Sequence, residues 1–165
     1  MSQMKNKVEW CLNKAKKEGT MHRGLVKTNP DMKKAIEHIT KAEHYLSATD
    51  YLKQGDYSDI SASTIFYTMY HCLLAIMVKH GYESRNQECT FALIYSLIED
   101  NKINMKKEMV DKIGSLNVEE KEKTITGIRE QYQYGVNLRL KDQTYKEMFK
   151  LAQELILKTK EIIEE

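Results

Sequence analysis

One proline and seven glycines punctuate 165 residues, and no stretch alternates Val, Thr and Ile at the period of a strand. With helix formers dominating the rest, sheet-rich classes are excluded and an all-α fold is expected. The cysteines, Cys11, Cys72 and Cys89, are few, odd in number and scattered. They form neither a disulfide framework nor a metal-binding pair of pairs, and are expected as reduced, buried or idle thiols in a reducing cytoplasm. Neither sign of charge dominates, 26 basic against 24 acidic side chains, so net charge does not single out nucleic acid as a partner. The N-terminus lacks the apolar core of a signal peptide, and no membrane anchor is expected. There is no glycine-rich phosphate loop, nucleophile elbow or internal repeat. None of the five histidines stands four residues from another, and Glu37-His38 and Glu43-His44 are merely adjacent, so neither a metal nor any other cofactor is expected.

What the chain does have is a run from Ile60 to Val78 with no charged side chain, in a chain where 30% of residues are charged. A helix apolar nearly all round is a buried core helix or a membrane span. Ser61, Ser63, Thr64, Thr68 and His71, with the hydroxyls of Tyr67 and Tyr70, are too many polar groups for lipid, so the run reads as the central helix of a bundle.

The rest of the chain wraps this helix. Val8, Cys11, Leu12 and Ala15 share one face of a short helix that Gly19 can end, and Thr20 to Asn29 reads as a basic connector. Residues 1–28 are therefore expected as an N-terminal helical extension and linker, and 29–165 as the bundle. Asn29-Pro30-Asp31 opens a long helix, with Asn29 as its cap and Met32, Ile36, Ile39, Ala42, Leu46, Thr49 and Leu52 as its inner stripe. Gly55 to Ser58 turns the chain back into the charge-free helix, the hairpin typical of bundles. A third helix spans Cys89 to Ile98, followed by one or two turns between Met105 and Ile113. A fourth starts at Asn117 and buries Val118, Ile125, Ile128 and Tyr132. The last opens on Thr144-x-x-Glu147, a capping-box pattern, and turns Met148, Leu151, Ala152, Leu155, Ile156, Thr159 and Ile162 inward.

Two stretches carry candidate chemistry. Tyr67, Tyr70 and His71 make a polar-aromatic face on the core helix; the plainer reading is a satisfied core or interface histidine. Arg129 shares a helical face with Tyr132 or Gln133 and could bind a phosphate, against the simpler reading of a surface salt bridge.

The run Ser63-Thr64-Ile65-Phe66-Tyr67-Thr68-Met69-Tyr70-His71, with the Gly81-Tyr82-Glu83-Ser84 turn that follows, resembles the core-helix signature of HEPN-domain proteins. The likeness extends over most of residues 30–163. It implies an up-and-down bundle of four or five helices in two hairpins that forms a homodimer. It further implies a toxin-antitoxin setting in which such proteins cleave RNA without metal or pair with a minimal nucleotidyltransferase. In the catalytic members an Arg and a His, spaced R-x4-6-H or R-x4-Y-x-H, meet their dimer mates across a cleft. Arg129 and Tyr134 match the Arg and Tyr of the longer form, but Val136 stands where the His would be. Gln87 stands near a second position that often carries His. Valine transfers no proton, so general acid/base help is lost there. The expectation is a non-catalytic member whose cleft, near Arg129, Tyr134, Tyr67, Tyr70 and His71, binds RNA, a nucleotide or the nucleotidyltransferase. The rivals are a ribonuclease that recruits His71 beside Arg129, and a helical interaction module without a nucleic-acid role.

Overall fold

A computed structural model describes residues 2–114 and 121–165, as a helical bundle with one small sheet. Its elements in chain order are α1 (Gln3–Glu18), β1 (Leu25–Lys27), α2 (Met32–Gln54), α3 (Ser58–Lys79), β2 (Tyr82–Ser84), α4 (Gln87–Glu99), α5 (Lys107–Ile113), α6 (Ile125–Tyr134) and α7 (Asp142–Glu164). The expected start of a helix at Asn117, with Val118 on its buried face, lies outside the described residues.

The charge-free run is α3, and it is the axis of the molecule: α2, α4, α6 and α7 all pack on it. It is long and apolar enough to cross a membrane, yet Ile65, Met69, Leu73 and Ile76 are completely enclosed by the other helices. Its inward hydroxyls are bonded inside the bundle, as burial requires. Ser61 Oγ donates to the Thr49 carbonyl at 3.2 Å, Thr68 Oγ1 to the Thr64 carbonyl at 2.9 Å, and the Thr49 and Thr64 hydroxyls pair at 2.6 Å. The α7 stripe falls inward as its spacing requires, with Met148, Leu151, Ala152, Leu155, Ile156, Thr159 and Ile162 all buried.

Four local expectations are corrected. Asp31, not Asn29, caps α2, its carboxylate accepting from the Lys34 amide at 2.9 Å. On the same helix Met32 and Ile36 are 45% and 53% exposed, because Ala35 and Ile39 take the inner positions against Ala75 and Val78. Thr144 does not cap α7: the helix begins two residues earlier, and Glu147 accepts from Gln143 instead. Finally, the Thr20 to Asn29 stretch is not a bare connector. Its Leu25, Val26 and Lys27 pair antiparallel with Ser84, Glu83 and Tyr82, and Leu25 is fully buried.

Gly81 makes the junction behind this sheet possible. Its φ of +79° suits glycine, and a Cβ there would sit 2.7 Å from the Thr28 carbonyl oxygen. Thr28 N–H in turn donates to the Gly81 carbonyl at 2.8 Å, and Asp31 N–H to the Val78 carbonyl at 3.1 Å. The end of α3 is thereby stitched to the start of α2.

The thiol expectation is overturned. Cys11 of α1 and Cys89 of α4 form a disulfide with a Cα–Cα separation of 5.9 Å, bridging 78 residues of sequence. Two helices remote in sequence bring their only cysteines face to face, which spacing along the chain could not reveal. Cys72 alone is a free thiol; burial pushes it up to about 12, so it stays protonated and inert.

Candidate functional site

Arg129 sits in the middle of α6, a ten-residue helix whose start is fixed by Thr124 accepting from the Gly127 amide at 3.1 Å. Its guanidinium carbon lies 4.4 Å from the centre of the Phe66 ring on α3, a cation–π contact. Nη1 donates to Gln133 Oε1 at 2.9 Å, and Nη2 lies 3.7 Å from a Glu130 carboxylate oxygen. The side chain is 12% exposed, and its Nε is buried without a hydrogen-bond partner among the described residues. A buried, unsatisfied donor on a permanent cation is costly unless an acceptor arrives.

Phe66 is what the sequence reading left out of this group. It is 3% exposed, stacks on Tyr70 at 5.7 Å and meets Tyr67 edge-on at 5.4 Å. The Tyr70 hydroxyl shares a 3.0 Å hydrogen bond with Thr90 on α4, and burial raises its pKa. Thr90 is itself fixed by Ser84 and the Asn86 carbonyl. An aromatic shelf of Tyr70, Phe66 and Tyr67 thus supports Arg129 from below, and its rigidity comes from the core rather than from a loop. The signal was present in the charge-free run, where Phe66 adjoins Tyr67, but which side of α3 would meet α6 is a question of tertiary packing.

His71 faces the other way. Its Nδ1 lies 3.0 Å from Nδ1 of His38 on α2, and its ring stacks on Tyr45 at 5.6 Å, with Tyr67 bridging to Tyr45 at 5.5 Å. Burial, then the neighbouring His38 and Lys41, lower its pKa to about 4; burial, then Lys34, lower that of His38. Both rings are therefore neutral at neutral pH, one Nδ1–H donating to the other Nδ1. Among the described residues the contacts of Arg129 run to Phe66, Gln133 and Glu130 and those of His71 to His38 and Tyr45 of α2, so the two side chains do not meet directly.

Tyr134 ends α6 and is 77% exposed, and the extended segment beyond it carries Val136 at 93% and Leu138 at 75% exposure. Among the described residues no three His, Cys, Asp or Glu side chains gather as a metal-binding group.

The family model for the HEPN domain matches residues 35–164, most of the chain and all of the elements that build the Arg129 shelf. No curated protein matches the sequence.

Proposed function

The chain belongs to the HEPN family, and from that premise we propose that it binds RNA or a nucleotide through Arg129 and does not cut it. The observation that carries this reading is the Arg129 guanidinium, held over the Phe66 ring with its Nε buried and unpartnered among the described residues. A planar cation fixed in advance loses little freedom when a phosphate takes its free donors. Tyr134, exposed at the end of the same helix, offers a ring face for a base. At Val136, where the catalytic members of the family carry a proton-transferring His, the side chain is apolar. His71 is kept neutral and bonded to His38, which speaks against its recruitment as the missing acid.

The protein acts as a homodimer, with Tyr134, Val136 and Leu138 as the apolar surface that meets the partner, and it works beside a minimal nucleotidyltransferase in a cytoplasmic toxin-antitoxin system. The exposed run of three apolar side chains supports the dimer; the family resemblance supports the nucleotidyltransferase.

The test is anisotropy of a labelled single-stranded RNA titrated with the parent and with Arg129→Ala. The variant is expected to bind about tenfold to a hundredfold more weakly, the loss that follows from removing a charged donor. Its salt dependence should be shallower by about one phosphate contact. Equal binding by the variant would overturn the reading. So would RNA cleavage by the parent that disappears in Arg129→Ala, which would make the protein a ribonuclease.

A further inference from the structure

We propose that the Cys11–Cys89 disulfide is a redox latch that holds α1 on the bundle, and that its reduction frees α1 while leaving the HEPN core folded. The core has its own reasons to fold: α2, α3, α6 and α7 bury their stripes against one another, and all lie within or at the edge of the matched family region. The attachment of α1 is different. It fully buries only Val8, Cys11 and Ala15, with Met4 and Leu12 half-buried beside them, so the disulfide is one of a few inward side chains on a helix whose other face is in solvent. Besides that apolar contact, its polar ties to α4 lie at the surface, Ser2 to Glu99 at 2.7 Å, Lys5 to Asp100 at 2.6 Å and Lys7 to Glu88 at 3.2 Å, and exposed pairs of this kind contribute little.

Behind α1 the returning chain comes close. A Cβ on Gly24 would lie 2.5 Å from the Cys11 carbonyl oxygen, so the backbone approaches there without a side chain, and Leu25 beside it is buried in the bundle's own core cluster. Gly19, at φ +69°, lies between α1 and that return and supplies a pivot. Once free, a 16-residue helix with no partner is marginal in water and unwinds. It would present Lys5, Lys7, Lys14, Lys16 and Lys17 against only Glu9 and Glu18.

The exchange balances with a dithiol as co-reactant. One thiolate attacks a sulfur of the Cys11–Cys89 bond, which breaks, and the other cysteine leaves as a thiolate and takes up a proton. The second thiol of the reductant then displaces the mixed disulfide. The products are two protein thiols and one oxidised dithiol, with two electrons transferred. Both cysteines are fully buried, so attack waits for a local opening around the bond that exposes one sulfur, and α1 lifts only after the bond is cut. Cys72, enclosed in α3 and held protonated, does not compete for either sulfur. In a reducing compartment such a bond is transient, the behaviour of a sensor and not of a permanent staple.

The test uses the full chain, purified without reductant and then compared before and after treatment with dithiothreitol. Limited trypsinolysis reads the lysines of α1 and Arg23, emission reads Trp10, the one tryptophan, and circular dichroism reads helix content. Reduction is expected to speed cleavage at Lys14, Lys16, Lys17 and Arg23 by about tenfold or more, since cleavage tracks the population of the open form. Trp10 emission should change as α1 unwinds and the Lys7 and Lys14 contacts with its ring, which need the helical turn, dissolve, and the helical signal should fall by no more than the 16 residues of α1. Cys11→Ser should show the same pattern with no reductant present. If that variant fails to fold, the reduced parent chain gives the same readout. Unchanged cleavage and emission after reduction would overturn the proposal, as would alkylation of Cys11 or Cys89 in the untreated native protein. RNA appears in no arm, so the latch can fail while Arg129 still binds, and the reverse.

Discussion

Phe66 presents one ring face to the Arg129 guanidinium at 4.4 Å while remaining 3% exposed, so the residue that steadies the candidate ligand-binding cation is also core. On the α2 side of α3, the His38 and His71 rings make a second polar contact of the core helix, and this one titrates. His71 has a folded pKa of about 4 against an ordinary 6.5, and His38 is shifted in the same direction. Between those values the unfolded chain binds a proton that the folded chain refuses. Stability should therefore fall as pH drops from 6.5 toward 4, level off below, and owe nothing to this pair above 6.5. Melting temperatures across that window should show a smaller acid loss in His71→Phe than in the parent; parallel curves would contradict this. Arg129 was legible in the sequence through its match to the family motif. Its shelf was not, because Phe66 and Arg129 lie 63 residues apart and meet only once two helices have docked. The histidine pair is hidden for the same reason: a sequence displays spacing along one helix, and these two rings meet across a hairpin.

At the scale of elements, the charge-free run from Ile60 to Val78 maps onto Ser58–Lys79 with shifts of one or two residues, since composition alone forces such a helix to the centre. Helix ends were read less well. Asn29-Pro30-Asp31 and Thr144-x-x-Glu147 both contain cap-like side chains, and which one closes a helix depends on where the chain enters the bundle. The α2–α3 hairpin contains a prediction of its own. Thr49, fully buried, donates to the Tyr45 carbonyl at 2.8 Å or shares its hydrogen with Thr64, and its own carbonyl accepts from Ser61. Thr49→Val keeps the shape, removes the hydroxyl, takes the side-chain donor from the Tyr45 carbonyl and leaves the Thr64 hydroxyl with the Ser61 carbonyl at 3.1 Å. Urea unfolding should show a loss of about 1–3 kcal/mol, and a neutral result would mean that the hydroxyl pair adds nothing beyond the bond from Thr64 to Ser61. The disulfide adds a larger quantity on the chain-entropy account, about 4–5 kcal/mol for a loop of this length.

For the whole molecule, the sequence foretold an all-α bundle and missed a sheet of two three-residue strands. Strands that short carry no periodic signal, and their pairing joins residues on opposite sides of two long helices. The proposed homodimer is tested at this scale. Replacing Val136 and Leu138 together by Glu leaves the core untouched, because both side chains are largely in solvent. Light scattering should report a dimer for the parent and a monomer for the double variant, with equal melting temperatures if the dimer adds nothing to the fold. A parent that is monomeric at micromolar concentration would remove the dimer from the account.

The β1–β2 pairing also bears on how the chain avoids its own copies. β2 lies inside the matched family region and β1 outside it. The extension therefore occupies the hydrogen-bonding edge that Tyr82, Glu83 and Ser84 would otherwise hold open to any extended segment of another molecule. Without β1, the β2 edge and the apolar surface that Leu25 covers would be open. The first thirty residues thereby supply the partner of a strand that lies within the family's own region.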